Sequence, residues 1–289
     1  QQNEEPGVVA SIAFSKAVFG EHPYGRQVQG TVETIPVITR EGLVAFHEAQ
    51  YAPNNTIISV VGDISKDELN LLLNKYFGDW QQANVPGKEL PPVEQKKNPA
   101  VIRIDKDLTQ TNIILGHLGI ARMNPDYYTV SVMNYILGGG GFASRLMDNI
   151  RDNRGLAYDV HSYFSASRYG GSFQAGLQTK NESANTAIAE VIKEMQRIQN
   201  EPVSDKELSD AKSYLTGSFP LRIDSNSKIA GFNLAVEYYG LGLDFVDRYP
   251  AIINAITKED ILRAAKKYLD PVNYVLVVVG NLDKAGLKY

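Results

Sequence analysis

The segment ITREGLVAFHEAQYAPNNTIISVVGDI, residues 38–64, can be laid without a gap over ITKEDILRAAKKYLDPVNYVLVVVGNL, residues 256–282, at a constant offset of 256 − 38 = 218. Ile-Thr-basic-Glu, the turn Pro53/Asn55 against Pro271/Asn273 and the Val-Val-Gly ending coincide. A repeat of this length restricts the chain to folds that use one supersecondary unit twice. In both copies an apolar 3.6-residue period gives way to a β-branched run closed by glycine, so the unit is a helix followed by a strand. With a period near 218, the first copy is expected to begin well before residue 1, and the 289 residues to hold the back of one domain and nearly all of a second.

The remaining elements fit that division. Helical periods are read at 8–19, 40–50 and from Ser65, where Ser65 and Glu68 form a capping box. A strand is predicted at Thr56–Val61. Residues 81–100, with four prolines and a glycine among polar groups, read as a linker between a first domain ending at residue 80 and a second over 101–289. Beyond it, strands are predicted at 101–105, 112–120, 156–165, 171–178 and 274–279, with helices at 125–137, 183–199, 204–218, 226–239 and 258–268. Paired strands followed by runs of helices define an α+β fold. The expectation is two homologous domains, each a mainly antiparallel sheet with helices packed on one face.

Composition narrows the chemistry. The net charge of −4 lacks the basic footprint that nucleic acid requires. The absence of cysteine removes thiolate metal ligands, thiol nucleophiles and disulfides. No apolar run reaches the roughly 20 residues of a membrane span. The first residues carry no basic n-region, so no signal peptide is visible, and there is no initiator methionine.

The stretch GGGGFASRLMDNIRDNRGLAYDV, 138–160, concentrates the remaining information. A phosphate cradle would need a preceding strand and a following Lys-Ser/Thr; a helix precedes and Phe142-Ala143 follows. Gly138, Gly139, Gly140 and Gly141 are read instead as hinge or close-packing residues between two helices. The second helix stops at Gly155, a natural C′ residue. A chain reversing there brings Arg151 back over the start of the next strand, where alternation sets Leu156, Tyr158 and Val160 on one face and Ala157, Asp159 and His161 on the other. Arg151 and Tyr158 can then converge. The competing reading is that Arg151 complements a helix C-terminus and Tyr158 fills core.

FGEHPYG (19–25), YAPNNTIISVVGD (51–63), KYFGDW (75–80) and above all the 138–160 motif resemble the pitrilysin/insulinase family of zinc metallopeptidases over essentially the whole chain. The resemblance implies a parent endopeptidase that hydrolyses peptides at a zinc held by His-x-x-Glu-His and a distal glutamate. It further implies that Arg151 and Tyr158, delivered from the second domain, bind substrate and stabilise the oxyanion. The inverted motif is not present. VFGEH at 18–22 begins with Val18, His47-Glu48 has Tyr51 where a second histidine would stand, and His117 and His161 fall in predicted strands. The distal glutamate falls just before Gln1, so Glu4 and Glu5 are read as helix-surface charges. No metal ligand and no catalytic residue is therefore assigned within these 289 residues. Zinc is expected in the parent protein or in a partner, and this chain alone is expected to be inactive. The alternatives are a non-catalytic subunit paired with a zinc-binding homologue, a homodimer, or a peptide-binding scaffold. Relatives of this kind lean towards the bacterial periplasm.

Overall fold

The computed structural model describes residues 4–87, 90–95 and 97–289. The chain divides into two compact units. The first gathers 4–26, 90–216 and 250–289, and the second gathers 27–87 and 217–249.

The first unit is built on a five-stranded sheet of β1 (Ala100–Asp105), β2 (Gln110–Leu118), β3 (Ala157–Ser167), β4 (Gly170–Lys180) and β5 (Val275–Gly280), in the order β1-β5-β2-β4-β3. Only β1 and β5 run parallel. The pairs β2–β5, β2–β4 and β3–β4 are antiparallel, as an α+β fold requires. Burial explains why β5, Val-Leu-Val-Val-Val-Gly, is apolar throughout: it is buried from end to end.

Helices α4 (Tyr127–Asn134), α5 (Ala184–Asn200) and α9 (Lys258–Tyr268) bury their apolar stripes in this unit, through Val130 and Met133, Ile188 and Met195, and Ile261 and Ala265. The other face of β1, β5 and β2 is not left open. Helix α1 (Pro6–Phe19) lays Ala10, Phe14 and Val18, spaced i, i+4, i+8, on Ile114, Val275, Val277 and Val279. This departs from the expected boundary at residue 80, because α1 belongs by packing with 90–216 and 250–289. The reason is local: α1 is apolar nearly all round, and the valine face of β5 needs a cover. Glu5, read as a surface charge, is the N-cap of α1 and accepts from the Gly7 and Val8 N–H groups.

In the second unit the repeat is visible as geometry. Helix α2 (Arg40–Gln50) and α9 differ by 258 − 40 = 218 at the start and 268 − 50 = 218 at the end. Each is capped by a threonine, Thr39 or Thr257, accepting from the N–H three residues on. The copies then diverge. Thr56–Val61 is not a strand, because among the described residues nothing pairs with it, whereas its counterpart β5 lies between β1 and β2. Helix α3 (Lys66–Phe77) follows with Ser65 as its cap. In 217–249, Phe219, Phe232, Phe245 and Tyr249 stack as an aromatic cluster around α7 (Asn226–Tyr238). Helices α6 (Asp205–Gly217), α8 (Phe245–Asn254) and α10 (Leu282–Ala285) complete the chain, and the sequence reading did not place the last two.

Candidate functional site

The glycine-rich turn joins two stretches of widened helix. Helix α4 continues into a π-helical turn, Tyr135–Gly139, and after a short 3₁₀ turn a second π-helical stretch runs over Met147–Asn153. Such i→i+5 turns are rare and recur at functional sites. The four glycines do different things. A Cβ on Gly138 would lie 2.5 Å from Ser162 Oγ and 2.7 Å from both Leu146 Cδ1 and the Ser162 nitrogen, so Gly138 lets the turn press against β3. Gly139 and Gly140 are equally confined, by Asn134 and by Tyr135. Gly141 has open space around it but a φ of 55°, the left-handed conformation that glycine adopts without strain.

This packing closes part of the outer edge of β3. Asn134 Nδ2 donates to the Ser162 carbonyl at 3.0 Å, Ser162 Oγ donates to Asn134 Oδ1 at 2.8 Å, and the Val160 N–H points at Met147 Sδ at 3.5 Å. An edge strand is thereby satisfied by side chains rather than by another strand.

At the start of β3, Ala157 pairs with Thr179 and Val160 with Leu177, so Tyr158 and Asp159 together oppose the single residue Gln178. This β-bulge corrects the expected alternation: Ala157, not Tyr158, shares a face with Val160. A bulge re-aims side chains, and here it frees Tyr158 from the core, leaving it 86% exposed. The reading in which Tyr158 fills core does not hold.

Arg151 comes to it from the second π-helical stretch. Gly155, at φ 61°, reverses the chain, and the Leu156 N–H donates back to the Ile150 carbonyl at 2.9 Å. The guanidinium carbon then lies 5.4 Å from the Tyr158 ring centre and 4.6 Å from that of Phe142, and Nη1 donates to the counter-charge Asp152 Oδ1 at 3.2 Å. Its side chain is 28% exposed. The two residues singled out by the motif are therefore neighbours at the surface, and the guanidinium lies within cation–π range of both rings. Phe142 was not anticipated; its place in the glycine turn was the available signal.

The opposite side of the same stretch is anchored. Arg145 donates from Nε and Nη2 to Glu207 at 2.6 and 3.1 Å. Burial pushes the Glu207 carboxyl up, but Arg145 and the Ser204 N–H and O–H together bring it down to about 2. Asn149 donates to Glu190 at 2.8 Å and to Glu194 at 3.0 Å, and Arg154 Nε donates to Asn149 Oδ1 at 2.8 Å.

The residues present do not fit a zinc centre. Among the described residues no three His, Cys, Asp or Glu side chains come together as ligands. His22 caps a 3₁₀ turn, accepting from the Tyr24 N–H. His117 is buried against Phe173, its Nδ1 donating to the Leu118 carbonyl and its Nε2 accepting from the Asp270 N–H. His161 pairs with Asp159 at 2.9 Å, and His47 stacks on Tyr51. No helix among the described residues is long and apolar enough to cross a membrane.

Comparison with known proteins agrees with this architecture. A family model described as the peptidase M16 inactive domain matches residues 38–215. An uncharacterized zinc protease of Mycobacterium leprae is 30% identical over 247 residues, which are 83% of this chain and 54% of that protein. A Helicobacter pylori protein named a non-peptidase homolog, YmxG, is 26% identical over 98% of this chain and 65% of its own length. The chain thus spans between about half and two thirds of these relatives. The crystal structure of a peptidase M16 inactive domain from Pseudomonas fluorescens superposes with a TM-score of 0.88 at 33% identity, covering 96% of this chain and 66% of that one. The repeat, the sheet topology, the 138–160 motif and these matches together place the chain in the M16, or pitrilysin/insulinase, family, as a bearer of its inactive domain.

Proposed function

We propose that this chain is the C-terminal portion of a zinc-dependent metalloendopeptidase, and that it contributes the residues that grip the peptide and stabilise the oxyanion rather than those that bind metal. The observation that carries this reading is the juxtaposition of Arg151 and Tyr158 at the surface, where a β-bulge frees Tyr158 from the core. An attacked peptide carbonyl gathers negative charge on its oxygen. The guanidinium stays protonated throughout and presents N–H donors in one plane, and the phenol adds an O–H. Fixed donors that meet the developing charge lower the barrier without reorganising. Phe142 and Tyr158 lie beside the guanidinium carbon, their ring centres at 4.6 and 5.4 Å, and the Arg151 side chain, 28% exposed, remains open to a peptide carbonyl.

The test uses the complete protein. Arg151→Ala and Tyr158→Phe should each lower kcat/KM on a quenched fluorescent peptide by about a hundredfold, with zinc content unchanged. Wild-type kinetics in both variants would overturn the assignment. The name of the Helicobacter pylori relative motivates a second reading, a non-catalytic subunit paired with a zinc-binding homologue. Under it the complete protein is inert and zinc-free alone, and activity seen on mixing with such a homologue is lost with Arg151→Ala.

A further inference from the structure

Helix α5 carries its buried stripe at Ala187, Ile188, Val191, Met195 and Ile198, and Glu194 stands within it, only 2% exposed. A carboxylate at a core position opposes burial, and this one is incompletely compensated. Burial pushes its carboxyl up against the pull of Arg197, Arg145, Asn149 and Lys193. One oxygen accepts from Asn149, while Oε2 has Arg197 Nη1 at 3.6 Å and no hydrogen bond. Arg145 Nη1 is likewise buried without a hydrogen-bond partner. Apolar packing would be more favourable here, so the polar cluster calls for another reason.

The register of the adjoining segment supplies one. Arg145, Asn149 and Arg154 all reach towards α5 and α6, at successive spacings of four and five residues. Five residues make about 1.4 turns of α-helix, which would carry Arg154 away from Asn149. The i→i+5 bonding over Met147–Asn153 brings five residues close to roughly one turn, and Arg154 Nε meets Asn149 Oδ1. Two residues on from Asn149, Arg151 falls roughly half a turn away, on the side of Phe142 and Tyr158.

We propose that Glu194, acting through Asn149, is a positioning residue for Arg151: with Glu190 on Arg154 and Glu207 on Arg145, it anchors the far side of the π-helical segment and so holds the guanidinium beside Tyr158. Resting on the peptide-binding role given to Arg151 above, this makes the α5 carboxylates part of how the same site is shaped.

The experiment compares Glu194→Ala, Arg151→Ala and the double variant in the complete protein, with two readouts. The first is the NMR shift of the Arg151 Nε–H, which is sensitive to the ring currents of the nearby Phe142 and Tyr158. The second is kcat/KM on a fluorescent peptide. Glu194→Ala should move that signal towards the value of an unstructured arginine and lower kcat/KM about tenfold through misplacement of Arg151. Added to Arg151→Ala, it should cost nothing further. An Arg151 signal unmoved by Glu194→Ala, or an equal kinetic loss in the Arg151→Ala background, overturns the proposal. Should Glu194→Ala not fold, Asn149→Ala cuts the same link from the other side and is judged by the same two readouts. A silent Arg151→Ala would instead defeat the peptide-binding role, and the NMR shift alone then decides the positioning claim.

Discussion

The guanidinium carbon of Arg151 stands 5.4 Å from the centre of the Tyr158 ring, and each side chain comes from a stretch that departs from regular secondary structure. Arg151 lies in a π-helical stretch, and Tyr158 is turned outwards by a β-bulge opposite Gln178. Two departures from ideal geometry, each costly by itself, meet at one point of the surface.

The stack makes the identity of the cation matter. Lysine has the charge but neither the plane nor the fork of donors, so Arg151→Lys should behave almost as Arg151→Ala, lowering kcat/KM of the complete protein at least about tenfold. Phe142→Leu, which removes the ring 4.6 Å from the guanidinium carbon, should cost about threefold. Near-normal rates for Arg151→Lys would mean that charge alone suffices.

What could be seen beforehand follows from range. The helix bounds of α2 and α9 and the five strands of the sheet depend on local period, and they were legible. The failures are non-local. Thr56–Val61 has the composition of a strand but no strand beside it among the described residues, and a ladder needs two. The burial of α1 on β5 joins residues some 265 positions apart, which no window of sequence contains. At the site, the spacing of Arg151 and Tyr158 was readable. The bulge was not, because its composition is that of an ordinary strand start. Glu194 was readable in principle as a charge inside the period Ala187, Val191, Ile198.

The glycine turn predicts two unequal mutants. Gly138→Ala must push a methyl into Ser162 and Leu146, and should cost about 3 kcal/mol in urea unfolding. Gly141→Ala meets no atom within 4 Å and suffers only the left-handed conformation, about 1 kcal/mol. Equal losses would show that space at Gly138 is not the constraint.

The acid limb of stability should carry the mark of Glu207. Its folded pKa, about 2, lies below its ordinary 4.5, so its contribution is fully present above pH 4.5 and is lost as pH falls towards 2. Between pH 5.5 and 3 the wild type should lose about 2 kcal/mol more than Glu207→Gln in urea unfolding. Glu194 has the opposite sign. Raised by burial, its ionisation opposes folding as pH climbs, so Glu194→Gln should gain stability near neutrality and lose that gain on acidification. Parallel pH profiles for the wild type and Glu207→Gln would remove the ion pair with Arg145 from the account.

The placement of α1 is tested at Phe14. Its ring is buried between α1 and the sheet, and the site is shaped for it: a Cβ on Gly116 would lie 2.8 Å from Phe14 Cζ. Phe14→Ala should cost about 4 kcal/mol, as large aromatic truncations in cores do. Lys16→Ala, on the exposed side of the same helix, should stay within about 0.5 kcal/mol. Hydrogen exchange tells where the loss is felt. If α1 is part of the sheet's core, Phe14→Ala raises exchange at the amides of Val275–Val279, whose side chains at 275, 277 and 279 face it. Were α1 instead to pack with residues 27–87, those amides would keep their protection while α2 and α3 lost theirs.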